Sequence, residues 1–121
     1  MPDKDIYVVA ASSADTNKYW YKIFRDIKNA GMKVYCVNPK ISETETGKIY
    51  PDLKALPERG NILIAVARPE ISAKFADEAA ELGYKEIWYQ PGAYEEKSAA
   101  RARQAGADVH DDCFMLASGL W

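Results

Sequence analysis

Small hydroxyl and cationic side chains follow the first apolar run of this chain. Ser12 and Ser13 come directly after the run, and Lys18 follows five residues later. Serine hydroxyls, the unpaired N–H groups at the start of a helix and a nearby lysine are groups that bind phosphate in proteins. The loop therefore predicts a phosphate site. The alternative, that Ser12, Ser13 and Asn17 only cap a helix, stays open at this point.

The second apolar run ends at Asn38, Pro39 and Lys40. Enzymes that bind NAD carry an acidic side chain at this place, which accepts hydrogen bonds from the ribose hydroxyls. A lysine disfavours NAD and suits a ligand with an additional ribose phosphate, such as coenzyme A (CoA) or NADP. The competing interpretation is that Lys40 is a solvated surface lysine.

Two further strand ends complete the candidate cleft. Val66, Ala67 and Arg68 follow the third run, and Gln90 and Gly92 follow the fourth. Arg68 can contact a phosphate or a carboxylate, or it is a surface group. A phospho-acceptor receiver domain would need carboxylates after the first run and an aspartate after the third. The sequence has neither, which argues against that class.

The sequence offers no catalytic constellation. Its only histidine, His110, lies beside three aspartates within residues 108–112, and we interpret it as a surface or edge residue without a metal or acid–base role. Cys36 and Cys113 are too few for a disulfide framework and predict reduced thiols. Cys113 is interpreted as a small buried residue, although a mixed disulfide with a thiol ligand is chemically conceivable. We therefore predict a protein that is not an enzyme.

The elements that position these residues alternate along the chain. Short apolar runs predict strands at residues 6–11, 34–37, 62–67 and 86–89, with a short edge strand at 108–110. Segments with helical periodicity lie between them and end at Gly31, Gly83 and Gly106. Right-handed crossovers then predict a doubly wound, mainly parallel five-stranded α/β sheet in the order 3-2-1-4-5, with helices on both faces and the first strand in the middle.

Composition and charge limit the possible partners. With 121 residues, 48% of them apolar and 28% charged, the chain fits one domain over residues 1–121. A net charge of −2 leaves no basic excess for nucleic acid or for an anionic membrane. The N-terminal residues do not resemble a signal peptide and no apolar run is long enough to span a membrane, so we expect a cytoplasmic protein. A homodimer is plausible for so small a sheet.

The strand-end segments, read together, resemble the CoA-binding domain family related to the N-terminal domain of the succinyl-CoA synthetase α subunit. In chain order they are VVAASS, KYWYKIFRDIKNAG, VYCVNPK, GKIYPDLKALP, ARPE, IWYQPGA and DDCFM. They cover nearly the whole chain, and their order is more specific than any one of them. The resemblance implies a Rossmann-like fold and CoA or an acyl-CoA as the ligand.

The resemblance also implies a role for each strand end. Ala11, Ser12, Ser13 and Lys18 would hold the pyrophosphate; Asn38, Pro39 and Lys40 would border the adenosine part; Val66, Ala67 and Arg68 would line the next part of the cleft; and Gln90 and Gly92 would lie near its far wall. The synthetase uses a phosphorylated histidine from another domain, so its catalysis is not carried over. We expect non-catalytic binding in a regulatory or carrier role. An NADP-type nucleotide-binding protein or oxidoreductase, and a ligand-free scaffold that binds a partner, remain the alternatives.

Two positions depart from the family pattern. Relatives typically have Gly-Ala-Ser where this chain has Ala10, Ala11 and Ser12, and a methyl group at residue 10 would crowd a pyrophosphate. Arg68 stands where relatives often have a small or apolar residue. It would either add an ionic contact or partly fill the cleft, so weakened CoA binding is an open expectation.

Overall fold

The structure is a computed structural model that describes residues 5–121. The expectation that the N-terminal segment is not a signal peptide falls partly on residues 1–4, which lie outside the described residues. The strands are β1 (Tyr7–Ala10), β2 (Val34–Val37), β3 (Ile62–Ala65), β4 (Glu86–Tyr89) and β5 (Asp108–Asp111). The helices are α1 (Tyr19–Asn29), α2 (Pro69–Glu81), α3 (Glu96–Gln104) and α4 (Phe114–Ala117), with a short 3-10 helix at Leu53–Ala55.

All five strands are parallel, which confirms the doubly wound α/β class, and their order is β2-β1-β3-β4-β5. The predicted order 3-2-1-4-5 is wrong, because β3 pairs with β1 and not with β2. At their ends Ala10 pairs with Val37 on one side and with Ala65 on the other. The connection after β2 passes across the sheet before it enters β3, and its Leu53 and Leu56 are buried in the same core cluster as β1 and β3.

Two apolar cores lie on opposite faces of the sheet. One face is covered by α2, α3 and the 3-10 helix, and β1 contributes Val8 and Ala10 to it. The other face is covered by α1 and α4, and Val9 of β1 and Ala11 directly after β1 contribute to this core. Since successive side chains of a strand point to opposite faces, a strand covered on both sides must be apolar throughout. This explains why β1 is a continuous apolar run.

Local signals mark the helix boundaries. Pro69 is the first residue of α2, a position where the missing N–H of proline costs nothing. Gly31 follows the end of α1 with φ of 81°, a backbone conformation that favours glycine. Both boundaries agree with the sequence-based prediction.

Several aromatic and sulfur-containing side chains are packed against the sheet. Trp20 is buried, and half-buried Trp88 stacks on His110 with ring centroids 4.0 Å apart. His110 lies in the edge strand β5. Cys36 and Cys113 are free and buried. Within residues 5–121, no helix combines the length and apolar character needed to cross a membrane.

Candidate functional site

The carboxyl ends of β1 and β3 lie side by side at the centre of the sheet. The chain leaves β1 through α1 toward β2, and it leaves β3 through α2 toward β4, so the two connections diverge. Such a switch point opens a crevice, which is where ligands bind in open α/β sheets. A cleft of about 1100 Å³ opens here between the starts of α1 and α2.

Most of the residues predicted from the sequence line this cleft. They are Ser12, Ser13, Lys18, Lys40, Val66, Ala67, Arg68, Gln90 and Gly92. Ala11, Asn38 and Pro39 are not among its lining residues. Ala11 is instead fully buried in the core under α1, and Pro39 is exposed beside the cleft. The four strand ends that the sequence analysis singled out therefore do meet at one place.

Asn38 supports the cleft from below. Its side chain is only 1% exposed. The amide nitrogen donates to the backbone oxygen of Ser13 over 2.8 Å, and the amide oxygen accepts from the backbone nitrogen of Lys40 over 3.0 Å. Asn38 thus joins the loop after β1 to the loop after β2, and in the described structure it has a positioning role.

The loop after β1 bonds to itself and leaves the start of α1 free of a side-chain cap. Ser13 Oγ accepts from the backbone nitrogen of Asp15, and Asp15 Oδ1 accepts from the backbone nitrogen of Asn17. The residue before the helix is Lys18, which makes no side-chain capping bond. The alternative that Ser12, Ser13 and Asn17 cap the helix is therefore wrong. Helix-start N–H groups without a cap are available to an anion.

Ser72 shapes the loop after β3, and the sequence analysis missed it. Its buried hydroxyl donates to the backbone oxygen of Ala67 over 2.7 Å and lies 3.2 Å from the backbone nitrogen of the same residue. Ser72 lies on the first turn of α2, so the hydroxyl ties this turn back to the cleft wall. A serine three residues after the helix-starting proline was the available signal.

Arg68 lies at the mouth of the cleft. Its side chain is 71% exposed, and its Nε lies 2.8 Å from Glu70 Oε1. The sequence analysis expected Arg68 either to add an ionic contact to the ligand or to fill part of the cleft. The exposed side chain favours the first of these two expectations. An exposed ion pair of this kind is weak, so Arg68 can exchange Glu70 for an anionic ligand at little cost.

The methyl group of Ala10 lies away from the cleft. Ala10 is fully buried in the core under α2 and is not a lining residue. This position argues against the expectation that the methyl group crowds a pyrophosphate. The reason is the alternation along β1, which turns Ala10 toward α2 and Ala11 toward α1.

Gln90 connects the cleft to α4. Its buried amide oxygen accepts from the backbone nitrogen of Phe114 over 2.8 Å, and its amide nitrogen donates to Cys113 Sγ over 3.3 Å. Cys113 lies behind Gln90 and is not a lining residue. This placement agrees with the interpretation of Cys113 as a small buried residue.

Within residues 5–121, four cationic side chains and no carboxylate line the cleft. The cations are Lys18, Lys22, Lys40 and Arg68. The positive charge of this lining contrasts with the net charge of −2 of the whole chain. A cleft lined by one sign of charge attracts a ligand of the opposite sign. The arrangement therefore fits an anionic ligand with more than one charged group.

The sequence analysis missed part of this lining. The additional residues are Ala14, Asn17, Tyr19, Trp20, Lys22, Ile71, Pro91 and Ala93. Lys22 could have been predicted as a lining residue, because residues four apart on a helix share a face and Lys18 was already a candidate. No sequence feature predicts Tyr19 as a lining residue, since its exposure depends on how α1 packs on the sheet.

Comparison with known proteins adds a family match. The family model described as "CoA binding domain" matches residues 4–118. This range includes all the strand-end segments that form the cleft.

Solved structures with the same fold include stand-alone proteins and one larger enzyme. A conserved hypothetical protein from Pyrococcus furiosus is 30% identical, with a TM-score of 0.81, and the alignment covers 93% of this chain and 98% of that protein. A hypothetical protein from Pyrococcus horikoshii is 24% identical, with a TM-score of 0.83 and coverage of 93% and 80%. Acetyl-coenzyme A synthetase 1 from Candidatus Korarchaeum cryptofilum is 22% identical, with a TM-score of 0.76, and the match covers 88% of this chain and 26% of the synthetase.

Proposed function

Because this chain belongs to the CoA-binding domain family, we propose that its cleft binds CoA or an acyl-CoA. The observation that carries the proposal is the cationic cleft at the switch point, which is lined by three lysines and one arginine and by no carboxylate. CoA carries a pyrophosphate and a 3′-phosphate, so its charge matches a cleft with several separate cations. Phosphate contacts from lysine and arginine are strong because both partners are charged.

The proposed binding mode follows the strand ends. The pyrophosphate lies against Ser12, Ser13 and the free N–H groups at the start of α1, with Lys18 beside it. The adenosine part lies toward β2, where Lys40 contacts the ribose phosphate. Residues 66–68 line the middle of the cleft, and Gln90 and Gly92 form its far wall. Ala11 and Asn38 are buried and Pro39 is exposed beside the cleft, and none of the three is proposed as a ligand contact.

The binding is proposed to be non-catalytic. Among residues 5–121, those that line the cleft include no histidine, cysteine, aspartate or glutamate. The ionisable side chains of the lining are three lysines, one arginine and one tyrosine, and we propose that they bind the ligand and transfer no proton. The match to a Pyrococcus furiosus protein covers 98% of that protein, so the same fold occurs there without the rest of a synthetase. We therefore assign the chain a regulatory or carrier role in the cytoplasm, as a single domain that is monomeric or homodimeric.

NADP is the second candidate ligand. It shares with CoA an adenosine with an additional ribose phosphate, so Lys40 suits both. NAD lacks that phosphate, and the end of β2 carries no acidic side chain to bind its ribose hydroxyls. The two candidates differ in the position of the ribose phosphate and in the group beyond the pyrophosphate, so direct titration separates them.

The test is calorimetric titration and thermal unfolding of the full chain with CoA, acetyl-CoA, NADP and NAD. A ligand that binds the native state raises the unfolding temperature by mass action. We expect CoA and acetyl-CoA to bind and to stabilise the protein, and NADP and NAD to do neither. Selective binding of NADP would replace CoA with the second candidate. The absence of binding by all four ligands would overturn the proposal in favour of a scaffold that binds a protein partner.

A further inference from the structure

Two aromatic side chains form an exposed surface beside the cleft. The large apolar residues exposed among residues 5–121 are Tyr19 at 68%, Leu116 at 64% and Trp121 at 41%. Tyr19 and Trp121 contact each other, with ring centroids 6.1 Å apart. Tyr19 also lines the cleft. We call Tyr19 and Trp121 together the aromatic wall.

The aromatic wall is held in place by polar contacts. Trp121 Nε1 donates to Asp26 Oδ2 over 2.8 Å, and the backbone nitrogen of Trp121 donates to the backbone oxygen of Met115 over 3.1 Å. Lys22 Nζ lies over the indole ring, 5.6 Å from its centroid. These contacts fasten the segment after α4 to the exposed side of α1. Trp121 is therefore a fixed support for Tyr19.

Tyr19 lines the same cleft as Lys40 and residues 90–93. Lys40 follows β2, which is one edge of the sheet. Trp121 follows α4, and α4 is bonded at its start to Gln90 at the end of β4, on the other side of β1 and β3. The segment that carries Trp121 is therefore connected through α4 to the half of the cleft formed by residues 90–93. The cationic contact predicted for the ribose phosphate lies in the opposite half.

We propose that the aromatic wall is the binding site for an apolar acyl group carried by CoA. The inference rests on the proposed function, because a CoA bound with its ribose phosphate at Lys40 and its pyrophosphate at Ser13 and Lys18 directs its thiol end toward residues 90–93. An acyl group on that thiol then lies along the face of Tyr19. Exposed aromatic surface that continues a binding cleft is a place where an apolar group is removed from water.

The apolar area of the aromatic wall favours one class of acyl group. An acetyl group offers one methyl to the Tyr19 ring, whereas a chain of eight carbons or a phenyl group covers much of it. Since the gain scales with the apolar area buried, longer and aromatic acyl groups benefit most. The ligand class is therefore an acyl-CoA with a medium-length or aromatic apolar acyl group.

The experiment is calorimetric titration of the full chain with CoA, acetyl-CoA, octanoyl-CoA and phenylacetyl-CoA. We expect octanoyl-CoA and phenylacetyl-CoA to bind about tenfold more tightly than CoA, and acetyl-CoA to bind within about twofold of CoA. Tyr19→Ala should reduce this tenfold ratio of affinities to less than about threefold, whatever its effect on the Kd for CoA itself. Tyr19 is exposed, so this substitution does not threaten folding.

Leu116→Ala is the matched control. Leu116 is as exposed as Tyr19 but is not a lining residue of the cleft, so its removal should preserve the tenfold preference. Equal affinity of the wild-type protein for CoA and for both apolar acyl-CoAs would overturn the inference and leave the proposed function intact. A Tyr19→Ala variant that loses affinity for CoA and acyl-CoA equally would also overturn it, since the wall would then contact a part common to all four ligands. If none of the four ligands binds, the proposed function itself fails.

Discussion

The side-chain amide of Asn38 donates a hydrogen bond to the backbone oxygen of Ser13 across the ends of two neighbouring strands. A second bond joins the same side chain to the backbone of Lys40. Two candidate phosphate contacts, one in the loop after β1 and one in the loop after β2, are therefore positioned by one buried residue. The spacing between these contacts depends on Asn38.

Asn38→Asp tests this dependence. The aspartate keeps the acceptor for Lys40 and loses the donor to Ser13, leaving a buried carboxylate near a carbonyl oxygen. We expect the free energy of unfolding to fall by at least about 2 kcal/mol and the Kd for CoA to rise. Chemical denaturation and calorimetry measure the two effects. Asn29→Asp, at an exposed position at the end of α1, should cost less than about 1 kcal/mol. Equal effects of the two substitutions would show that the bond to Ser13 is not required.

Lys40→Ala tests the proposed contact with the ribose phosphate. A charge-assisted contact of this kind contributes about 1.5–3 kcal/mol, so the Kd for CoA should rise about tenfold or more. The Kd for 3′-dephospho-CoA should stay the same, because that ligand lacks the phosphate in question. Calorimetry with both ligands provides the comparison. Lys54→Ala removes an exposed lysine of the 3-10 helix and should affect neither ligand. An equal loss of affinity for both ligands would show that Lys40 does not contact the ribose phosphate.

Lys18→Ala tests the pyrophosphate contact at the start of α1. Both CoA and 3′-dephospho-CoA carry the pyrophosphate, so this substitution should weaken the two ligands by the same factor, about tenfold. The comparison uses the titrations described for Lys40. An unchanged Kd for both ligands would make Lys18 a solvated lysine that plays no part in binding.

Ala10→Gly tests whether the methyl group of residue 10 contributes to the core or obstructs the ligand. Because the methyl group of Ala10 is buried under α2, we expect the Kd for CoA to stay within about twofold. The free energy of unfolding should fall by about 0.5–1 kcal/mol, since glycine weakens the interior of a strand. Tighter CoA binding by this variant would show that the methyl group does obstruct the ligand.

Tyr84→Phe tests an alkaline dependence of stability. Burial raises the pKa of Tyr84 to about 12. A raised folded-state pKa means that the contribution of the neutral phenol is complete below pH 10 and is lost as the pH rises from about 10 through 12. Tyr84→Phe should therefore reduce the loss of unfolding free energy over that pH range, measured by denaturant titration at each pH. The Tyr84 hydroxyl is also buried and has no hydrogen-bond partner within residues 5–121, so at pH 7 the variant should be at least as stable as the wild type. Tyr19→Phe, at an exposed position, should leave the alkaline loss as it is.

The sequence by itself determined the elements of the fold and most of the cleft. Continuous apolar runs such as residues 62–67 indicate strands covered on both faces, and the periodicity between them indicates helices, because both signals depend on neighbours within one element. Parallel strands end at the same edge of a sheet. Residues that follow different strands, such as Ser12, Lys40 and Gln90, could therefore be predicted to lie together without knowledge of the strand order.

Only the tertiary structure decided how those elements are arranged. The same alternation of strands and helices is compatible with β3 beside β2 or beside β1, since strand pairing joins residues far apart in sequence and has no local signal. The orientation of Ala10 and Ala11 was equally undetermined, because a strand that is apolar throughout does not show which face α1 covers. The aromatic wall depends on where the segment after α4 meets α1. Such long-range packing is a property of the assembled core, and for this reason Tyr19 and Trp121 could be paired only in three dimensions.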